Sequence, residues 1–196
     1  MLPFDTIHAI TDTLLRAEVQ TREWGAPALI LLRDQTRILP TDQPACGVRT
    51  SVFAIDPWEV EGVLGGVAEF LHNTADYLGD DNAQADLRAD ADRYPNTSGW
   101  ITADAVTSPD PDAPLLAWAV AYEDLHADPE QLRDARRVDA VDVDARVYQL
   151  TRLRGEPHPL VVIDDEVDPR DTPATYPALT ALLDLTRRLE TRARAH

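Results

Sequence analysis

Lysine is absent from this chain of 196 residues, and all 18 of its basic residues are arginine. Schiff-base catalysis, attachment of pyridoxal phosphate and activation of serine by lysine all require that amine, so the sequence excludes them. The phosphate-binding loop of P-loop enzymes and the ATP site of protein kinases also need a lysine. The sequence therefore excludes these enzyme classes as well.

Thiols and serine hydroxyls are nearly as scarce. A lone cysteine, Cys46, excludes an intrachain disulfide and every zinc site that needs two thiolates. Only three serines are present, and no Gly-x-Ser-x-Gly pattern of a serine hydrolase occurs. Because no base is specified near Cys46, we interpret it as a structural thiol.

Long apolar runs are also missing. The two longest, residues 26–32 and 113–122, are shorter than the roughly 20 residues that span a bilayer. With one cysteine and no basic, apolar leader at residues 1–5, the sequence predicts a cytoplasmic protein without a membrane segment.

Acidic residues outnumber arginines by 35 to 18, which gives a formal charge of −17. This charge repels nucleic acid and anionic lipid, so we expect neither as a partner. Four arginines lie in residues 187–194. We interpret them as cations that favour the C-terminal end of a helix, where the macrodipole is negative. The alternative hypothesis is nucleic-acid binding through this arginine-rich helix, which predicts an affinity that falls steeply with salt.

The helices are predicted from apolar residues spaced three and four apart. This spacing predicts an N-terminal helix, a long central helix over about 57–78 and a C-terminal helix over about 174–194. The central helix has a strong start signal, because Asp56 precedes Pro57. Its glycines, Gly62, Gly65 and Gly66, are expected to allow close approach of another backbone.

The strands are predicted from short apolar runs and from alternation with a period of two. Consecutive runs over about 115–163, with a tight turn at Asp144-Ala145, predict an antiparallel β-meander. Strands that follow one another, with helices before and after, favour the α+β class. The hydrophobic fraction of 44% is enough for one core, so we predict a single domain over 1–196, with a layer or subdomain boundary in the loop 104–114. The predicted strands cover residues 28–32, 50–55, 115–122, 138–143, 146–152 and 160–163.

Three carboxylates, Asp164, Asp165 and Glu166, follow directly after the strand predicted at 160–163. Oxygen ligands at a strand end are the donors that Mg²⁺ and Mn²⁺ prefer. One hypothesis is therefore a divalent-metal-dependent hydrolase acting on a phosphate-like substrate. A second arrangement, with His126, His158 and a nearby carboxylate as ligands, is chemically reasonable, but no metal-binding spacing supports it.

The favoured hypothesis is a non-catalytic interaction or regulatory module without a cofactor, because no motif assembles a nucleophile, a base and an oxyanion site. Aromatic residues and arginines contribute much of the energy of protein interfaces. We therefore expect a protein partner, or self-association through a sheet edge or an aromatic surface. The candidate interface residues are Trp100, Arg133, Arg136 and Arg137.

Overall fold

The structure, a computed structural model, describes residues 1–20, 27–35, 37–38, 44–45, 47–86, 101–107, 113–127, 132–168, 170 and 172–195. Its helices are α1 (Phe4–Gln20), α2 (Pro57–Glu61), α3 (Gly66–Gly79), α4 (Ala103–Val106) and α5 (Tyr176–Arg194), and residues 81–86 are also helical. Its strands are β1 (Ala28–Asp34), β2 (Arg37–Ile38), β3 (Pro44–Ala45), β4 (Val48–Ala54), β5 (Leu115–Ala127), β6 (Leu132–Asp142), β7 (Val147–Leu153) and β8 (Leu160–Asp164).

Six of the strands form one antiparallel sheet in the order β4-β1-β5-β6-β7-β8, and β2 pairs with β3 separately. The strands β5 to β8 are neighbours both in the chain and in the sheet, which confirms the predicted meander and the α+β class. Across the meander, Leu150 of β7 lies between Val138 of β6 and Val161 of β8. This order leaves β4 and β8 as the two edges of the sheet.

One face of the sheet is covered by α1, whose Ile10 and Leu14 are fully buried against it. Beside larger apolar side chains, four alanines of the strands belong to the buried cluster on this face. The helix packs mainly over β4, β6 and β7. The alanines of this face are Ala117, Ala119, Ala121 and Ala140.

The opposite face is covered by α3 and α5, which pack against each other and against the sheet. Trp118 lies at the centre of this layer and is completely buried. Its ring centroid is 6.1 Å from that of Phe53, and its Nε1–H donates to Thr186 Oγ1 at 3.0 Å. Both terminal helices thus pack on the sheet as predicted, and none of the helices in the described ranges is long and apolar enough to cross a bilayer.

The central helix is divided in two, although one continuous helix was predicted over about 57–78. Helix α2 ends at Glu61 and α3 begins at Gly66, whose φ of +59° lies in the left-handed region that favours glycine. A Cβ at Gly66 would meet no atom within 4 Å, so this glycine does not serve the close backbone approach that we expected. Its positive φ at the start of α3 is a conformation that a residue with a Cβ adopts only with strain.

Candidate functional site

The predicted interface arginines lie on β6, and they do not share one surface. Arg136 is only 1% exposed, on the face that α1 covers, so it does not present a surface charge. Arg137, on the opposite face, is half-buried and its Nε lies 3.1 Å from Asp124 Oδ2. The two point in opposite directions because successive side chains of a strand alternate. Arg133 lies opposite His126 in the register of β5 and β6. Trp100 lies outside the described residues. An interface that uses Arg133 and Trp100 therefore stays a prediction.

The environment of Arg136 explains its burial. Arg152 Nη2 contacts Glu18 Oε1 at 2.6 Å, and Glu18 at the end of α1 is almost completely buried. Burial lowers the pKa of Arg136, and the negative charges of Glu123 and Glu18 oppose that effect. A buried charge is tolerated when opposite charges surround it. These groups therefore join the end of α1 to β6 and β7, a structural role.

The carboxylates proposed as metal ligands do not converge. Asp165 forms an ion pair with Arg146, and Asp164 Oδ1 accepts the backbone N–H of Glu166 at 2.9 Å. Among the residues that the structure describes, no three histidine, cysteine, aspartate or glutamate side chains lie where they could hold a metal ion together. His158 is exposed in the turn before β8, and Cys46 lies outside the described residues. The geometry thus gives the metal hypothesis no support.

The side chain of Asp142 stabilises the acidic turn between β6 and β7. Its side chain accepts the backbone N–H groups of Asp144 and Arg146 at 2.8 and 3.0 Å, and it also accepts the Tyr148 hydroxyl at 2.9 Å. Arg146 Nη1 lies 2.7 Å from the same carboxylate. These bonds hold a tight turn in which Ala145 has a φ of 66°, a strained value for a residue with a Cβ. Burial and the negative charge of Asp142 raise the pKa of Tyr148.

A second buried carboxylate, Asp139, lies in the middle of β6. Its Oδ2 accepts the hydroxyls of Tyr122 and Thr175, each at 2.7 Å. Burial raises the pKa of Asp139, while these two hydrogen bonds act in the opposite direction. All three residues are buried, and the bonds attach the start of α5 to the sheet. The sequence did contain a signal, because Asp139 and Asp142 interrupt the apolar residues of the strand predicted at 138–143.

The most unusual surface is the free side of β8, which we call the β8 edge (Leu160–Asp164). Leu160 is 68% exposed, Val162 44% and Ile163 42%. Val161 packs against the cluster below α1, so Leu160 and Val162 project from the opposite face of the sheet. Helix α5 packs mainly on β5 and β6, and β8 lies beyond it. No further strand among the described residues pairs with β8, so the β8 edge presents apolar side chains beside a hydrogen-bonding edge that lacks a strand partner in that part of the chain.

No protein-family model, curated protein or solved structure matches this chain significantly. The function is therefore inferred from the geometry of the chain itself.

Proposed function

We propose that the protein is a non-catalytic interaction module that binds another polypeptide strand along the β8 edge. The observation that carries this proposal is the exposure of Leu160, Val162 and Ile163 on the outermost strand of the sheet. An edge strand offers unpaired backbone N–H and C=O groups, and an added strand satisfies them. Exposed apolar side chains next to those groups add affinity when they are covered.

The side chains of β8 make this edge suitable for pairing. Natural proteins protect edge strands with charged side chains, prolines or bulges inside the strand. Between Leu160 and Ile163 the strand has none of these charges or prolines, and Asp164 is its last residue. Pro159 and the acidic residues 164–166 flank the strand and restrict the length of any partner strand. The edge thus favours a short, defined pairing.

The charged clusters of the fold support a binding role over a catalytic one. Asp142 and Asp139 are buried and accept hydrogen bonds that hold a turn and the start of α5 in place, and Arg136 is buried within the influence of the negative charge of Glu18 on α1. Catalysis requires such groups in contact with substrate. A charge of −17 disfavours nucleic acid and anionic membranes, so the partner we propose is a protein, and the one cysteine is consistent with a cytoplasmic setting.

A fluorescein-labelled peptide of residues 157–166 tests this function by fluorescence anisotropy. We expect it to bind the wild-type protein and a scrambled peptide of the same composition not to bind. Val162→Lys places a charge at the β8 edge and should abolish binding. Val52→Lys on the other edge strand is the matched control and should leave binding intact, since Val52 is similarly exposed, at 54%.

Circular dichroism and thermal unfolding would establish that both lysine variants fold. Equal binding of the scrambled peptide, or binding that survives Val162→Lys, would contradict the proposal.

A further inference from the structure

We infer that the strand that completes the β8 edge is β8 of a second copy of this chain, paired antiparallel about Val161. This inference rests on the proposed function and names its partner. Its basis is that β8 is complementary to itself when its direction is reversed. Its apolar residues are central, its acidic residues 164–166 lie at one end, and His158 lies at the other.

The direction of pairing follows from charge. A parallel arrangement would place residues 164–166 of both copies side by side, and six like charges would repel one another. The antiparallel arrangement separates the two acidic ends by about 20 Å along the strand, at about 3.4 Å per residue. That separation exceeds the Debye length of about 8 Å at physiological ionic strength, so the repulsion is largely screened.

The register of the two β8 strands follows from which side chains it places opposite each other. In an antiparallel pair the residues opposite each other lie on the same face, and apolar cross-strand pairs stabilise the sheet. A register centred on Val162 would place Leu160 opposite Asp164 of the second copy, an apolar group against a carboxylate. A register centred on Val161 avoids this mismatch. It places Leu160 opposite Val162 of the second copy, Pro159 opposite Ile163, and His158 opposite Asp164.

This pairing also covers the exposed side chains on both faces. Leu160 and Val162 project from the same face, so the two copies bring four of these side chains together there. On the other face, Ile163 joins Val161, which is already partly buried. The strand has only five residues, so the contact area falls at the low end of protein interfaces. We therefore expect a weak dimer whose population rises with concentration.

Disulfide trapping tests the register. In a Cys46→Ala background, Val161→Cys places two thiols opposite each other at the two-fold axis, within reach of a disulfide. We expect Val161→Cys to be cross-linked on mild oxidation at least about tenfold faster than Val162→Cys or Ile163→Cys, with the rates compared on non-reducing gels. Faster cross-linking of Val162→Cys would overturn the register, as would equal rates at all three positions.

Light scattering of the unmodified chain over a range of concentrations separates this inference from the proposed function. A mass that rises towards that of two chains, and that Val162→Lys holds at one chain, supports self-pairing. A strict monomer that still binds the 157–166 peptide overturns self-pairing and leaves the interaction module standing. A monomer that binds no peptide overturns both, whereas a dimer that Val162→Lys leaves unchanged overturns self-pairing alone.

Discussion

The two edge strands of the sheet, β4 and β8, differ in the side chains that they expose. On β4, Arg49 and Thr50 are exposed, and Phe53 packs inward near Trp118. Its one large, strongly exposed apolar side chain is Val52. On β8 three of five residues are exposed and apolar. Both strands are available for pairing by their place in the sheet, but only β8 has side chains that favour it.

The difference shows how one sheet can protect one edge and use the other. A polar or charged side chain on an edge strand costs little in the monomer and disfavours the addition of a partner strand. An apolar side chain in the same place gains from being covered. We therefore expect substitutions that weaken the fold near either edge to lower stability without changing which edge binds.

The largest effect is expected beside β4, where a buried ion pair joins β1 to α5. Arg33 Nη1 lies 2.6 Å from Glu190 Oε1, and Arg33 also donates to the carbonyl oxygens of Ala113 and Val106. Arg33→Met should lower the free energy of unfolding by about 3–5 kcal/mol in urea titrations, because it leaves Glu190 buried without its closest partner. Under conditions in which this variant is folded, it should bind the peptide 157–166 with the affinity of the wild-type protein.

The double variant Arg33→Met/Glu190→Leu is the control for this prediction. Replacing both charges with apolar groups should restore most of the stability. A double variant as unstable as Arg33→Met would show that the loss comes from the other contacts of Arg33.

A smaller effect is expected on the β8 side of the sheet, at the tight turn held by Asp142. Tyr148→Phe removes one hydrogen bond to this carboxylate and leaves the ring in the core. We expect the free energy of unfolding to fall by about 1 kcal/mol, measured by urea denaturation. Peptide binding at the β8 edge should not change. A loss of binding in a fully folded Tyr148→Phe would mean that the turn takes part in the interface.

The smallest effect is a pH dependence at Asp139. Burial raises the pKa of Asp139 in the folded state, so its stabilising contribution is present at low pH and is lost as the pH rises through that pKa. An asparagine side chain at this position does not titrate. Relative to wild type, Asp139→Asn should therefore gain stability as the pH rises from 5 to 8, measured by urea unfolding at each pH. A difference that shrinks with rising pH would contradict this assignment.

The positions of the strands could be predicted from the sequence, because apolar runs and alternation are patterns of neighbouring residues. The apolar run Leu160–Ile163 and the alternation around Val138 each predicted a strand, and the structure has strands at both places. The break at Gly66 was not predicted, because the apolar stripe of the central helix continues across it. Only the backbone geometry reveals the positive φ there.

The roles of the charged residues depend on contacts with residues far away in the chain, so the local sequence could not predict them. The end of α1 is joined to β7 by the ion pair of Glu18 with Arg152, and the charge of Glu18 also acts on the buried Arg136, more than a hundred residues away in the chain. Alternation along β6 already implied that Arg136 and Arg137 face opposite ways, but not which face is covered. Similarly, Leu160–Ile163 was a recognisable strand, yet its position at the edge depends on the order of all six strands.

Amide hydrogen exchange at the two edges, measured by mass spectrometry at low and high protein concentration, tests the central claim most directly. Strand addition protects outward N–H groups that exchange freely in the monomer. We predict that deuterium uptake in residues 160–164 slows as the concentration rises, while uptake in residues 48–54 does not change. Protection of 48–54 in place of 160–164, or no change in either up to millimolar concentration, would contradict the account.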